Sequence, residues 1–126
     1  MTSFIIDASK DKIFLKIILD DKSYTNEYSN SSENFDKLGL IIFEFFKKNN
    51  VKLTDLKDIF VNQGPGNYSG IRSSIVTCKA FKIVKNINLY GFTNEQIQGK
   101  NYNKVLDLLK KGVLIKDLIK PLYKDI

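Results

Sequence analysis

The chain has 126 residues, of which 43% are hydrophobic and 27% are charged. This is enough for one soluble domain with a hydrophobic core, and no apolar run approaches the roughly 20 residues that a membrane span needs. The sequence has no histidine and a single cysteine, Cys78. Histidine-based metal sites, Ser-His or Cys-His nucleophile pairs and internal disulfides are therefore excluded, and we expect Cys78 to be buried and inert.

The formal net charge is +6, and the basic residues are spread along the chain. This pattern favours a solvated, lysine-rich surface, with a weak RNA-facing surface as the alternative. The start, MTSFIIDASKDK, has neither the basic region nor the apolar region of a secretory signal, and a lone cysteine suits a reducing compartment. We expect a cytoplasmic protein without membrane contact.

Short apolar or alternating runs predict strands, and longer runs with helical periodicity predict helices. The first three strands are separated by turn signals, which indicates an antiparallel meander, and the later strands alternate with helices, which indicates right-handed crossovers. The pattern therefore predicts an α/β fold with a mixed five-stranded sheet. In chain order, the predicted elements are strands at 2–8, 12–21 and 22–28, a helix at 35–50, a strand at 58–63, a helix at about 69–85, a strand at 87–92 and a helix ending at Gly112.

The helix predicted at 35–50 is apolar on two faces. One stripe suits packing on the sheet, and it contains Phe35, Leu38, Ile41, Ile42 and Phe45. The second stripe points largely away from the first, and it contains Gly39, Leu40, Phe43 and Phe46. Because an exposed apolar patch of this kind promotes association, we expect something else to pack on it.

The segment VNQGPGNYSGIRSSI, 61–75, is a glycine-rich turn between a predicted strand and a predicted helix. Such a turn can present backbone N–H groups to an anion. However, the spacing of Gly64, Gly66 and Gly70 matches neither the dinucleotide fingerprint nor the P-loop. A phosphate cradle and a purely structural turn both remain open, with Ser69 as the first candidate for the helix N-cap and Asn67 as the second.

The stretch QGPGNYSGIRSSIVTCKAF resembles the GPGSFTGLRIGLATAKGLA signature of the bacterial TsaB (YeaZ) family. Two weaker similarities are found in the same order as in that family: residues 5–9 are similar to its opening I-D-T-S, and residues 120–123 to its C-terminal P-x-Y. The positions that match the signature in register are Gly64, Pro65, Gly66, Ser69, Gly70, Arg72, Lys79 and Ala80.

The resemblance implies an actin-like ATPase (ribonuclease H-like) N-terminal lobe in residues 1–95. Most of the family's second domain has no counterpart between Thr93 and Asn103, so residues 96–126 are interpreted as a vestigial C-terminal helix and tail. The family is a non-catalytic partner in threonylcarbamoyladenosine synthesis on tRNA. The implied partners are the catalytic subunit TsaD, which binds the metal, the ATPase TsaE in a larger complex, and tRNA only indirectly or weakly. No cofactor is expected on this chain.

In the family, two long N-terminal helices pair with TsaD, which suggests what covers the second apolar stripe. We predict a four-helix interface with Phe43 and Phe46 as anchors, and a homodimer when TsaD is absent. The alternative is that both phenylalanines fill the core of this chain. The predicted interface residues are Gly39, Leu40, Phe43 and Phe46, together with a seam of mostly small side chains, Ser73, Thr77, Ala80 and Val84.

Asp7 and Ser9 are candidates for vestigial nucleotide contacts, because an aspartate after the first strand helps to hold the nucleotide's metal ion in active actin-like ATPases. The rival function is a small ATP-binding ATPase or phosphotransferase lobe that uses Asp7, Gly64 and Gly66. A peptidase is a second rival, which the lack of histidine disfavours. Arg72 and Lys79 lie seven residues apart on the predicted helix and are candidates for contact with tRNA phosphate or an acidic patch on TsaD.

Overall fold

The structure, a computed structural model, describes residues 2–122, so Tyr123 of the P-x-Y similarity lies outside the described residues. Between residues 2 and 122, no helix has the length and apolar character needed to cross a bilayer. The elements are strands β1 (Thr2–Asp7), β2 (Lys12–Ile18) and β3 (Ser23–Ser29), helices α1 (Ser32–Asp36) and α2 (Leu38–Lys48), a short 3-10 helix (Leu53–Asp55), strand β4 (Leu56–Asn62), helix α3 (Tyr68–Val84), strand β5 (Asn88–Phe92), helix α4 (Lys104–Lys111) and strand β6 (Ile115–Lys116).

The strands form one mixed sheet in the order β3-β2-β1-β4-β5-β6. Strands β1, β2 and β3 pair antiparallel, whereas β1 with β4 and β4 with β5 pair parallel through helical crossovers. This confirms the predicted meander and the mixed α/β architecture. The sheet has one strand more than predicted, because β6 adds two residues antiparallel to β5 and is too short to show a strand pattern in the sequence.

The helix predicted at 35–50 is in fact two helices. Helix α1 begins after Ser31, whose hydroxyl accepts a hydrogen bond from the Asn34 backbone N–H at 3.3 Å. The chain leaves helical geometry at Lys37, with φ −116° and ψ 26°, and α2 follows directly. Position 37 is neither glycine nor proline, so no helix-breaking residue marks the break. The apolar periodicity also continues through it, and the sequence pattern therefore does not reveal it.

Hydrophobic clusters cover both faces of the sheet, because successive side chains of a strand point to opposite faces. On one face, Phe4 and Ile59 belong to a large cluster with residues of α2 and α3, including the buried Cys78. Burial raises the pKa of the Cys78 thiol to about 12, as expected for an inert cysteine. On the other face, Ile5 packs in a smaller cluster that includes Val105 of α4.

The described part of the segment 96–126 packs on the same sheet. Ile119 is fully buried in the larger cluster, and the Leu122 N–H donates to the Gln63 carbonyl at 2.8 Å. The Gln63 side chain donates in turn to the Lys120 carbonyl at 3.1 Å. The segment thus extends the fold of the lobe, while the boundary proposed between 1–95 and 96–126 stays a prediction.

The glycine loop between β4 and α3 lies directly against the end of β1. A Cβ atom at Gly66 would overlap the Ser9 carbonyl, and one at Gly70 would overlap the Ala8 carbonyl, so both positions need glycine for close backbone approach. The N-cap of α3 is Asn67, whose side chain accepts from the Gly70 N–H at 3.0 Å. The first candidate for this cap, Ser69, was wrong, because the helix begins at Tyr68 and Ser69 lies within its first turn.

Two helical glycines provide a matched test of this packing. Gly70→Ala places a methyl group against the Ala8 carbonyl and should lower the free energy of unfolding by about 2 kcal/mol. Gly39→Ala meets nothing within 4 Å and should be neutral or raise stability by up to about 1 kcal/mol, since alanine favours helix. Urea unfolding of both variants measures the difference, and equal effects would contradict the close approach.

Candidate functional site

Polar side chains gather at the edge of the sheet where the three parallel strands end. Asp7 is the last residue of β1, Asn62 is the last residue of β4, and Asn94 follows β5 by two positions. This is the edge at which open α/β sheets bind ligands. It is also the edge at which the sequence predicted vestigial nucleotide contacts through Asp7 and Ser9.

Both oxygens of the Asp7 carboxylate are engaged within the protein. Oδ1 accepts hydrogen bonds from the Ser9 N–H at 2.9 Å and the Ser9 hydroxyl at 2.6 Å. Oδ2 accepts from Lys10 Nζ at 2.5 Å and from the Tyr102 hydroxyl at 2.5 Å. The Asp7 side chain is fully buried, so these partners supply the counter-charge and hydrogen bonds that water provides elsewhere.

The same contacts set the protonation of the site. Burial by itself raises the pKa of the Asp7 carboxyl, but the hydrogen bonds from Lys10, Ser9 and Tyr102 favour the ionised form more, and its pKa lies below the ordinary value of 3.8. Burial, and then the hydrogen bond to the Asp7 carboxylate, raise the pKa of Tyr102 well above its ordinary value. At neutral pH the site therefore holds a carboxylate and a neutral phenol.

Two asparagine side chains connect this carboxylate to the glycine loop. Asn94 Oδ1 accepts from Lys10 Nζ at 2.9 Å and from Asn62 Nδ2 at 2.8 Å. Asn94 Nδ2 donates to the Pro65 carbonyl at 2.6 Å and lies 3.2 Å from the Ser9 hydroxyl. The ends of β1 and β4, the segment after β5 and the loop are thus held by one network, which we call the Asp7 network.

Sequence reasoning identified only two members of the Asp7 network, Asp7 and Ser9. Asn62 and Asn94 had a usable signal, since each is a polar residue at or just after the end of a predicted parallel strand. The contribution of Tyr102 had no local signal, because it is 95 residues from its partner along the chain.

Three backbone N–H groups of the glycine loop also have hydrogen-bond partners within the protein. The Gly64 N–H donates to Asn62 Oδ1 at 2.7 Å, the Asn67 N–H donates to the Ser9 carbonyl at 2.7 Å, and the Gly70 N–H donates to Asn67. A phosphate that bound these three N–H groups would have to displace their partners. The loop geometry is that of a packed turn.

The Asp7 network does not fit a nucleotide-bound metal ion. The ion would compete with the ammonium of Lys10 and the hydroxyl of Tyr102 for the same carboxylate oxygen, Oδ2 of Asp7. Within residues 2–122, no group of three or more His, Cys, Asp or Glu side chains is arranged to hold a metal.

The second candidate site is an apolar surface on the outer sides of α2 and α3, here called the α2–α3 face. Its large apolar side chains are exposed, from 46% for Phe43 to 86% for Ile83. The Phe43 ring packs edge to face on Phe81 of α3 with centroids 5.2 Å apart, which joins the two helices. The face consists of Leu40, Phe43, Val76, Ala80, Ile83 and Val84.

This surface differs from the predicted interface in three places. Phe46 is only 2% exposed and packs edge to face on Phe4, so it belongs to the core of this chain, as the alternative interpretation had it. Ser73 is half-buried and its hydroxyl donates to the Phe35 carbonyl at 3.2 Å, so this part of the small seam joins α3 to α1. Thr77 is also half-buried, and its hydroxyl donates to the Ser73 carbonyl.

The other predicted positions remain accessible. Leu40, Phe43, Ala80 and Val84 are exposed, and Gly39 is half-buried. The two exposed apolar residues missed by the sequence analysis, Val76 and Ile83, lie on the side of α3 away from the sheet. A helical wheel of α3 centred on its buried residues would have found them.

A cavity of about 570 Å³ lies beside Phe43 at the end of α2. It combines apolar side chains with two lysines, and so could accept a large side chain from another protein. Its lining residues are Phe43, Phe46, Lys47, Asn50, Val51, Lys52 and Leu53.

The charged residues of the glycine signature lie at the edge of the α2–α3 face. Arg72 is exposed and, with Tyr68 and Ser69, lines a cavity of about 470 Å³ between α1 and α3. Lys79 is half-buried two turns further along the same helix. Both side chains are therefore placed to meet a molecule that docks on α3.

A family model described as TsaD, tRNA N6-adenosine threonylcarbamoyltransferase, matches residues 29–98, more than half of the chain. The chain belongs to this family. The TsaD match includes the glycine loop and the whole α2–α3 face. No protein among the curated sequences matches the chain.

The fold of this TsaD-family chain is that of YeaZ, which confirms the resemblance to the TsaB (YeaZ) family. YeaZ from Pseudomonas aeruginosa has a TM-score of 0.71 and 13% identity, over 84% of this chain and 50% of that one. A structure described as an uncharacterised protein with similarity to peptidase YeaZ from Pseudomonas aeruginosa has a TM-score of 0.67 and 12% identity, over 79% and 49%. This chain thus spans about half the length of the YeaZ structures.

A second kind of protein shares the fold with a lower TM-score. RuvC from Thermus thermophilus, in complex with a Holliday junction substrate, has a TM-score of 0.54 and 12% identity, over 90% of this chain and 78% of that one. The similarity of this TsaD-family chain to both YeaZ and RuvC confirms the predicted actin-like, ribonuclease H-like class.

The Asp7 network makes stability depend on pH in a defined direction. A carboxyl whose pKa is lowered by folding stabilises the folded state above its unfolded pKa, and this contribution is lost as the pH falls through the folded pKa. We expect the free energy of unfolding to decline below about pH 4, and Asp7→Asn to lack this part of the decline. Urea unfolding as a function of pH measures it, with the exposed Asp11→Asn as control; identical profiles for Asp7→Asn and the unmodified chain would contradict the assignment.

Proposed function

We propose that this chain is a TsaB-type scaffold subunit, without catalysis of its own, that binds and activates the catalytic subunit TsaD in threonylcarbamoyladenosine synthesis on tRNA. The observation that carries the proposal is the α2–α3 face, an exposed apolar surface on a YeaZ-like fold. A surface of this extent is costly in water and is typical of a protein interface. TsaD is the partner that the resemblance to the TsaB (YeaZ) family implies.

The shape of the α2–α3 face suits a helical partner. Phe43 offers a large aromatic side chain, and the adjacent cavity of about 570 Å³ can receive one in return. On α3, the small side chain of Ala80 lies between the larger Val76 and Val84, one turn away on either side. Small residues let helices approach closely, so two helices of TsaD can pack against α2 and α3.

The Asp7 network supports the non-catalytic part of the proposal. Its carboxylate, amides and loop N–H groups already bind one another, whereas an active site needs such groups directed at a substrate. In this proposal TsaD supplies the metal and the transfer reaction, TsaE joins the larger complex, tRNA contact is indirect or weak, and the assembly works in the cytoplasm.

The rival proposal, an ATP-binding lobe using Asp7, Gly64 and Gly66, requires these residues to exchange protein partners for phosphate and metal. ATP binding by the chain alone, with and without magnesium, separates the two. Tight binding without TsaD would favour the rival.

Truncation of Phe43 tests the interface. Phe43→Ala should weaken the complex with TsaD roughly thirtyfold, since anchors of this kind contribute on the order of 2 kcal/mol and 1.4 kcal/mol is tenfold. Calorimetric titration with the organism's TsaD measures the dissociation constant. Leu118→Ala, an equally apolar truncation of an exposed residue outside the face, is the matched control.

An unchanged affinity for Phe43→Ala, or an equal loss for both variants, would refute the assignment of the interface. The unmodified chain should also show concentration-dependent homodimer formation that TsaD suppresses, because the same face is covered in both states. Analytical ultracentrifugation with and without TsaD measures this competition.

The charges beside the face have a separate test. If Arg72 and Lys79 contact tRNA phosphate, Arg72→Glu/Lys79→Glu should reduce tRNA binding by the TsaD complex and flatten its salt dependence, while the protein complex still forms. If they meet an acidic patch on TsaD, the double variant should lose the complex itself. Lys57→Glu, an exposed charge reversal on β4 and therefore outside α3, serves as control.

A further inference from the structure

The environment of the Lys10 ammonium is that of a bound cation. Its Nζ lies 2.5 Å from Oδ2 of Asp7 and 2.9 Å from Oδ1 of Asn94, and 5.7 Å from the ring centre of Tyr102. Carboxylate and amide oxygens are also the ligands that magnesium and calcium prefer in proteins. The Lys10 Nζ therefore contacts the oxygens that a hard metal ion would bind at this edge of the sheet.

The buried Asp7 carboxylate needs a positively charged partner, either a bound ion or a side chain, because an isolated charge is strongly disfavoured away from water. The resemblance to actin-like ATPases implies a metal ion brought by a nucleotide at such an aspartate. Here Lys10 meets the requirement from within the chain, three residues after Asp7. The Tyr102 hydroxyl completes the coordination of Oδ2, and its ring stacks on Phe14 at 4.3 Å.

We propose that the Lys10 ammonium is a built-in cation that replaces a divalent metal at Asp7, so that the lobe holds its glycine loop in place without nucleotide or metal. Lys10 donates to the Asn94 side chain, and Asn94 donates in turn to the Pro65 carbonyl. These two hydrogen bonds connect Lys10 to the loop that precedes α3. The start of α3 is thereby positioned independently of any ligand.

That this arrangement helps to present the α2–α3 face to TsaD rests on the proposed function. The replacement of a metal ion by Lys10 does not depend on that function. The two can fail separately. Lys10 lies outside the α2–α3 face. Phe43→Ala tests binding to TsaD, and Lys10→Ala tests whether a metal ion can take the place of the ammonium, so each result is independent of the other.

Other charged groups near the Asp7 network define the controls. A cavity of about 430 Å³ beside it is lined by Asp11, Lys12, Glu27 and Lys100, among others. Lys12 is two residues from Lys10 but has no hydrogen bond to Asp7 among the contacts in residues 2–122. Lys12→Ala therefore removes an equal charge from the same cavity without touching the carboxylate.

The first experiment measures thermal unfolding of the full 126-residue chain with EDTA, with magnesium and with manganese. The unmodified chain and Lys12→Ala should show no cation dependence. Lys10→Ala should unfold at a lower temperature and recover several degrees on addition of either metal, more strongly when combined with Tyr102→Phe, which frees Oδ2. A metal-dependent rise in the unmodified chain, or no cation response in the Lys10 variants, would overturn the proposal.

The second experiment restores the charge chemically and serves if Lys10→Ala is too unstable to study. Lys10→Cys treated with bromoethylamine forms a thioether that carries an ammonium at the length of lysine. Cys78 is fully buried and its pKa is raised to about 12, so it should not react, and the unmodified chain tests this. Recovery of the unfolding temperature after aminoethylation, together with loss of the metal response, supports the proposal; a modified variant that remains unstable refutes it.

Discussion

The buried carboxylate of Asp7 is the constraint on which the rest of this lobe depends. A fully buried charge must be neutralised and hydrogen-bonded by the protein, and this requirement brings Lys10 from the following loop and Tyr102 from before α4 to a single oxygen. Asn94 joins the same ammonium to the glycine loop. Through the glycine loop, this polar network lies next to the start of α3, one of the two helices that carry the exposed face.

The lobe thus has one closed polar edge and one open apolar surface. An enzyme of this fold class would need the reverse at the strand ends, with donors and acceptors free for a substrate. Here the groups of the Asp7 network bind one another, and an exposed apolar surface lies on α2 and α3. The proposed scaffold role would use this distribution, in a chain of the TsaD family that spans about half the length of the YeaZ structures.

The glycines of the loop that matches the family signature have a packing role in this structure. Gly66 and Gly70 are required because the carbonyls of Ser9 and Ala8 lie where their Cβ atoms would be. The N–H groups of Gly64, Asn67 and Gly70 already donate to side chains and backbone of this chain. Of the two interpretations left open by the sequence, close backbone packing is the one that accounts for the glycines.

The sequence by itself determined the family, the order of the main strands and helices, and most of the exposed face, because these depend on local periodicity and on a continuous motif. It did not determine the break at Lys37, the strand β6 or the burial of Phe46, since each depends on what the rest of the chain packs against that position. The Asp7 network was decided by tertiary structure alone. Its members come from segments up to 95 residues apart, and a hydrogen bond between distant segments leaves no periodic signal in either of them.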